Sequence, residues 1–361
     1  MRLFQNANAY ADSFTQIRNG RGGLVSFAAQ MAAFTYERLA ATHLLMPVLN
    51  GDESAFLTFG NETVLQRRWA KENGLPETLS NDAILLAQLE AHRADVFYDL
   101  APAHHGPGFV EKLPGCVKRK IAWHAAPGFP KNLAAYDLVV SNFPRLLQDY
   151  KLRGCRVGQF FPAHDPVMDE YAMSDDRPID VVFVGTYSRH HSHRTELLET
   201  VAREFEKYNL AFHLNLSRLA RISQYPLMRW LPLGRHRPAN ALRRISQDPI
   251  FGRALYKAFS RSKVVLNAAI DMAGSERGNM RCFEAMGCGA LLLSDAGEYP
   301  DGLAPDDTIV TYESIADAML KIGQQLDDPK LRETTAARGH NVVASKYGKV
   351  RQWETFLRLV G

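Results

Sequence analysis

The sequence predicts an α/β protein built from two doubly wound domains, and three observations predict it. The chain has 361 residues, about twice the usual length of one domain. Strand-like β-branched runs alternate with helix-like stretches, the pattern of parallel sheets covered by helices. The alternation then stops in a polar, proline-bearing stretch and restarts at Ile179.

In order, Arg2 to Asn6 reads as a first strand, followed by a loop with Gly20, Gly22 and Gly23 and a long apolar helix from about Leu24 to Ala41. Ser80 to His92 carries Ile84, Leu85, Leu86 and Leu89, with Ser80 or Asp82 as helix cap. Asp95 to Leu100, Lys120 to Trp123 and Asp137 to Asn142 read as strands, and Pro144 opens a helix to Leu152. Arg156 to Phe161 closes the first half. Phe161 to Pro178 is the linker, which gives an N-terminal domain of residues 1–165.

The second half, residues 166–345, opens with Ile179 to Val184 and a loop of Gly185, Thr186, Tyr187 and Ser188. Its first helix puts Leu197, Leu198, Val201 and Phe205 on one face. Leu210 to Leu214, Lys263 to Asn267, Gly289 to Ser294 and Thr308 to Thr311 are the later strands. A last helix, residues 346–361, has Trp353, Phe356, Leu357 and Val360 on one stripe and is expected to cross back to the first domain. Ligands of such sheets bind beyond the carboxyl ends of the strands, so functional residues are expected in the loops there.

Hydrophobic residues make up 46% and charged residues 23%, which suits an ordinary globular protein and excludes a disordered or fibrous chain. Cys116, Cys155, Cys282 and Cys288 have neither zinc spacing nor the number for a disulfide framework, so free buried thiols are expected. The N-terminus turns polar too early for a secretory leader, and no apolar stretch near it spans a bilayer. A cytoplasmic location, or a peripheral one on the inner membrane face, is expected. The net charge of +4 permits an anionic ligand without requiring one.

The residues most able to carry chemistry run from Ser275 to Asp295. Glu276 and Glu284 are separated by seven residues, and Asn279 suits the N-cap of a short helix ending at Gly287. A carboxylate only accepts hydrogen bonds, so it matches a vicinal diol such as that of a ribose. Glycine at 185 lets a backbone approach a ligand, and the helix start that follows is a ready anion site. Arg189 and Arg194 flank that loop, and Arg194 and Arg281 are of the type that pairs with a diphosphate. His124, Asp99 and the pair His104 and His105 each follow a strand of the first half and are candidates for a base. His190, His191 and His193 have no carboxylate near them in sequence, and no metal site is expected. There is no G-x-G-x-x-G with an acidic residue at dinucleotide spacing, which argues against a nicotinamide enzyme.

The run Arg281-Cys282-Phe283-Glu284-Ala285-Met286-Gly287-Cys288-Gly289-Ala290, with Glu276 before it, resembles the donor-site signature of GT-B glycosyltransferases. It is most similar to the group 1 and spore-maturation-protein-like enzymes. The resemblance implies two Rossmann-like domains facing each other across a cleft. It implies transfer of a sugar from a nucleotide-diphosphate donor to a hydroxyl acceptor, without metal or resident cofactor and with retention, in the making of cell-surface polysaccharide. By resemblance Glu284 holds the ribose, and Glu276 with Asn279 holds the donor sugar. Gly185 and Thr186 meet the pyrophosphate, His124 lies near the reacting carbon, and Gly22 and Gly23 touch phosphate or acceptor. An epimerase or hydrolase on the same fold, and a catalytically silent nucleotide-binding module, are the alternatives.

From Arg218 to Lys263 eleven Lys or Arg stand against one acid, Asp248, with Tyr225, Trp230, Leu231 and Leu233 among them. Two readings stand: peripheral contact with an anionic membrane, or a solvated insertion. No nucleic-acid-binding signature accompanies the charge.

Overall fold

The structure, a computed structural model, describes the chain apart from residues 127, 189–190, 224–236 and 270–273 and the side chain of Arg218. It divides into two compact units. The first is Met1–Ala163 with Lys349–Gly361, and the second is His164–Gly348.

The first unit holds strands β1 (Leu3–Ala7), β2 (Ala55–Phe59), β3 (Val96–Asp99), β4 (Arg119–Trp123), β5 (Leu138–Ser141) and β6 (Val157–Gln159). They pair in the order β2-β1-β3-β4-β5-β6, all parallel, with Leu3 opposite both Ala55 and Val96. Its helices are α1 (Ala11–Gly20), α2 (Phe27–Tyr36), α3 (Met46–Leu49), α4 (Thr63–Glu72), α5 (Asn81–His92) and α6 (Pro144–Leu152). Strands covered on both faces read as apolar runs; Phe4, Phe97, Ala122 and Val139 pack under Leu85, Leu89 and Tyr150.

The long helix expected from Leu24 to Ala41 is shorter. Ser26 caps α2 by accepting from the Ala29 N–H, and the helix stops at Tyr36. Beyond it Arg38 and Ala40 take positive φ values of 60° and 54°, backbone that no helix continues through. The region before residue 95 also holds β2 and α4, which the periodicity did not reveal.

The second unit holds α7 (Val167–Ala172), β7 (Ile179–Tyr187), α8 (Ser192–Glu204), β8 (Leu210–Leu216), α9 (Arg218–Ile222), α10 (Asn240–Ile245) and β9 (Ser246–Gln247). After these come α11 (Gly252–Ser260), β10 (Ser262–Leu266), α12 (Met280–Gly287), β11 (Leu291–Asp295), β12 (Val310–Tyr312), α13 (Ile315–Asp327) and α14 (Pro329–Lys346). The strand order is β12-β11-β10-β7-β8-β9, again parallel. Val181, Phe183, Leu198, Val201, Phe212, Leu291 and Leu293 belong to its core.

One expectation is corrected here. Gly185, Thr186 and Tyr187 are not in a loop but extend β7, paired with Leu214, Asn215 and Leu216 of β8. The long partner strand supplies the ladder that keeps them extended. A Cβ on Gly185 would stand 2.8 Å from the Phe183 ring, so the glycine makes room for that side chain on its own strand.

The last helix, α15 (Lys349–Val360), is part of the first unit. Lys349 is buried, with Nζ donating to the carbonyls of Ala41 (2.6 Å) and Leu44 (2.7 Å) and to Gln352 Oε1 (3.0 Å). Gln352 Nε2 donates to the carbonyls of Thr42 and Phe161. Phe356 packs against Tyr98 at 4.9 Å between ring centroids. Among the described residues no helix is long and apolar enough to cross a membrane.

Candidate functional site

In the second unit the chain leaves β7 for β8 and β9 on one side, and returns to β10 for β11 and β12 on the other. Neighbouring β7 and β10 therefore send their following loops apart, and the crevice at their carboxyl ends is a topological switch point. Two arginines bridge it. Arg194, buried in the first turn of α8, donates from Nη2 to the Ala268 carbonyl just beyond β10. Arg281, in the first turn of α12, donates from Nε to the Val184 carbonyl of β7 at 3.3 Å.

Helix α12 begins as its sequence dictates. Asn279 is the N-cap, its side chain accepting from the Arg281 N–H at 3.1 Å. One turn on, the buried carboxylate of Glu284 closes an ion pair with Arg281. Burial pushes the Glu284 carboxyl above the usual glutamate value, and the Arg281 guanidinium offsets that push only in part. The result is a carboxylate held between an apolar helix base and one cation.

Glu276 is buried in the loop before α12. That loop is stitched to the one after β11: the Arg277 N–H donates to the Glu298 carbonyl and the Glu298 N–H to the Ser275 carbonyl, each at 2.8 Å. Arg277 clamps it further, with Nε 2.5 Å from Asp295 Oδ2 and Nη1 donating to the Gly274 carbonyl at 2.7 Å. Gly297 is required there, since a Cβ would lie 2.4 Å from the Ser275 carbonyl oxygen.

Beneath the cap lies a polar cluster that sequence reasoning missed. Asn267, buried just after β10, donates from Nδ2 to Ser294 Oγ at 2.9 Å and accepts at Oδ1 from Asn279 Nδ2 at 3.3 Å. Tyr312 Oη donates to its carbonyl at 2.9 Å. An asparagine at a strand's carboxyl end was the available signal, but its partners are far away in sequence.

In the first unit His124 follows β4 and is buried. Its Nδ1 lies 2.5 Å from Tyr150 Oη, and that hydroxyl donates to the Ala126 carbonyl at 3.2 Å. The tautomer that satisfies both contacts protonates Nδ1 and leaves Nε2 as an acceptor. Burial lowers the His124 pKa, so the ring is neutral at neutral pH.

Asp99 does not fit the role of a free base. It is fully buried at the end of β3 and accepts from Asn6 Nδ2 (2.9 Å), the Ala101 N–H (2.9 Å) and Tyr136 Oη (2.5 Å). His105 Nε2 lies 3.0 Å from Asp99 Oδ2, the oxygen Tyr136 also contacts, and His105 Nδ1 is 2.7 Å from Asp82 Oδ1. Burial works against the His105 imidazolium, but the bonds to Asp82 and Asp99 prevail and raise its pKa to about 9. With both ring nitrogens engaged by carboxylates, His105 has no lone pair to offer as a base. His104 is exposed on the same loop.

Gly22 and Gly23 are exposed in a turn after α1, Gly23 at φ 78°. Arg189, His190, Tyr225, Trp230, Leu231 and Leu233 lie outside the described residues. Of the basic stretch, Leu242, Leu255, Tyr256 and Phe259 are core, and Arg243 and Arg244 are exposed. No group of side chains arranged to hold a metal occurs among the described residues.

Residues 189–358 match the family model of glycosyl transferase-like proteins. No curated protein sequence matches the chain significantly. Among solved structures, Anabaena HepE in complex with UDP and glucose is 12% identical, with a TM-score of 0.59 and 99% of both chains covered. AviGT4, a glycosyltransferase involved in avilamycin A biosynthesis, is 14% identical at a TM-score of 0.56, covering 99% of this chain and 96% of that one. S. aureus TarM, solved with UDP, is 14% identical at a TM-score of 0.53. The match takes in 78% of this chain but only 59% of TarM's length. Its two parallel six-stranded sheets give the chain the fold of these glycosyltransferases, and residues 189–358 are similar to the glycosyl transferase-like family. Its particular reaction is a matter for the site.

Proposed function

We propose that the chain transfers a sugar from a nucleoside-diphosphate sugar to a hydroxyl acceptor, with retention and without a catalytic metal. The single observation that carries this reading is the Arg281–Glu284 pair at the start of α12, set at the β7/β10 switch point. In it, Glu284 accepts from the ribose hydroxyls, and Glu276 and Asn279 take hydroxyls of the donor sugar. The bond from the sugar's anomeric carbon to the phosphate oxygen breaks, and its electron pair leaves on the diphosphate. Arg281, Arg194 and the N-terminal turn of α8 meet that charge, the electrostatic work that dominates such sites. In this reading Arg194 and Arg281 take the place of a divalent ion at the leaving group. The acceptor oxygen bonds to the anomeric carbon on the face the diphosphate vacates, and its proton passes to the departing phosphate. This front-face course needs no protein base, which agrees with the saturation of Asp99 and His105. The neutral His124 serves as a hydrogen-bonding partner of the transferred sugar. Gly22 and Gly23 line the acceptor side. The first unit would then be the acceptor domain and the second the donor domain. Exposed Arg243 and Arg244 support peripheral contact with an anionic surface, and a cytoplasmic location and a role in cell-surface polysaccharide synthesis complete the reading.

The test is a thermal-shift screen against UDP, GDP, ADP, TDP and CMP sugars, because a ligand of the folded state must raise its melting temperature. HepE, TarM and others of similar fold were solved with UDP, so uridine nucleotides come first. A hit that EDTA leaves unchanged supports the reading, and no shift from any donor sinks it. Sugar release without an acceptor would favour the hydrolase or epimerase alternative.

A further inference from the structure

We infer that Asn267 is a positioning residue that sets the sugar-binding end of the donor site by holding Asn279 in place. The inference rests on the donor reading proposed above and adds a residue to it. Asn267 is buried, and its side-chain amide is engaged on both sides. The Nδ2 group donates to Ser294 Oγ at 2.9 Å and contacts Cys282 Sγ at 3.9 Å, while Oδ1 accepts from Asn279 Nδ2 at 3.3 Å. Its backbone is pinned too, the N–H donating to the Leu293 carbonyl at 2.8 Å and the carbonyl accepting from Tyr312 Oη at 2.9 Å. One residue thus ties the ends of β10, β11 and β12 to the cap of α12.

The consequence for Asn279 is geometric. Its Oδ1 is turned towards the helix, accepting from the Arg281 N–H at 3.1 Å and from Cys282 Sγ at 3.7 Å. Its Nδ2 is fixed by Asn267. Both ends of the Asn279 amide are therefore determined, which selects one rotamer at the mouth of the helix. A buried polar network of this kind specifies one arrangement only while every member is satisfied. Without the Asn267 oxygen the Asn279 amide loses one of its two anchors, and the sugar would meet a mobile group rather than a preorganised one. Glu284, one turn further on and held by Arg281, does not depend on this anchor.

The distinguishing measurement is the gain in affinity that the sugar adds to the bare nucleotide. Calorimetry with UDP and UDP-glucose, and with GDP and GDP-mannose, gives that ratio for wild type, Asn267→Ala, Asn279→Ala and the double variant. Asn267→Ala is expected to lower the ratio by about fivefold or more, the worth of one polar contact, while bare-nucleotide affinity changes little. Because Asn267 acts through Asn279, the double variant should match Asn279→Ala alone. Ser294→Ala frees the Asn267 amide with less disturbance and should give a smaller loss, also cancelled in the Asn279→Ala background. It serves as the probe if Asn267→Ala does not fold. Equal losses for nucleotide and nucleotide sugar, or additive losses in the double variant, overturn the inference. If the wild type binds none of these four, the same ratio is measured with the donor pair found in the thermal-shift screen, and failure of every nucleotide and nucleotide sugar in that screen overturns the donor reading instead.

Discussion

Arg281 and Glu284 stand one turn apart on α12 and neutralise each other, while the same guanidinium reaches back to the Val184 carbonyl of β7 at 3.3 Å. The pair therefore fixes where the carboxylate sits and whether it is charged. Both are properties a ribose ligand needs.

Glu284→Ala should weaken donor binding roughly 10- to 100-fold, the range expected for charge-assisted hydrogen bonds. His124→Ala should weaken it less. Titration calorimetry with the nucleotide found in the screen checks this, and the reverse order rejects the roles given to the two residues.

Arg281→Ala should make donor binding sensitive to acid. Burial already raises the Glu284 carboxyl, and Arg281 restrains it. A protonated carboxyl loses acceptor capacity, so affinity is kept above the raised pKa and lost as pH falls through it. Removing Arg281 moves that loss to higher pH. Affinity measured from pH 8 to 5 should fall earlier in the variant, and parallel curves would contradict the coupling.

Gly297→Ala should damage the loop that carries Glu276. Its Cβ would meet the Ser275 carbonyl oxygen and, at 2.7 Å, the Arg277 Cγ, an overpacking of about 1–3 kcal/mol. A lowered melting temperature with a raised KM for nucleotide sugar is expected. Unchanged values for both would show that the loop yields.

His105 should make the fold weaken in alkali. Its folded pKa is raised to about 9 from a model-peptide value of 6.5, so its stabilising charge is fully present below 6.5 and lost as pH rises through about 9. A shift of this size is worth roughly 3 kcal/mol at most. Urea midpoints should decline between pH 7 and 9.5 in wild type, and His105→Asn should flatten that decline.

Lys349→Met should cost about 2 kcal/mol, because it takes the ammonium donor from the buried Leu44 carbonyl and leaves the Ala41 carbonyl only the Leu44 N–H. Urea denaturation with and without the substitution measures it.

The legible parts of the protein were those whose partners are local. Ser80 caps α5 by accepting from the Ala83 N–H, Pro144 occupies the first turn of α6, and Asn279 caps α12, all as the residue types predict. What stayed hidden was decided by distant chain. Thr186 looks like loop until Asn215 pairs with it. Asp99 looks like a base until Asn6 and Tyr136, 93 and 37 residues away, claim its oxygens. Asn267 draws its meaning from Asn279 and Ser294, 12 and 27 residues on. Local chemistry announces itself in a sequence, and convergence does not.

The return of α15 to the first unit bears on the protein's birth. Residues 164–348 are in effect inserted into a domain whose final helix is made last. On the ribosome the first sheet would form early, yet the Leu44 carbonyl must wait for Lys349, and those of Ala41 and Thr42 gain their side-chain donors only with Lys349 and Gln352. The second unit, contiguous in sequence, can complete itself before the first one is sealed.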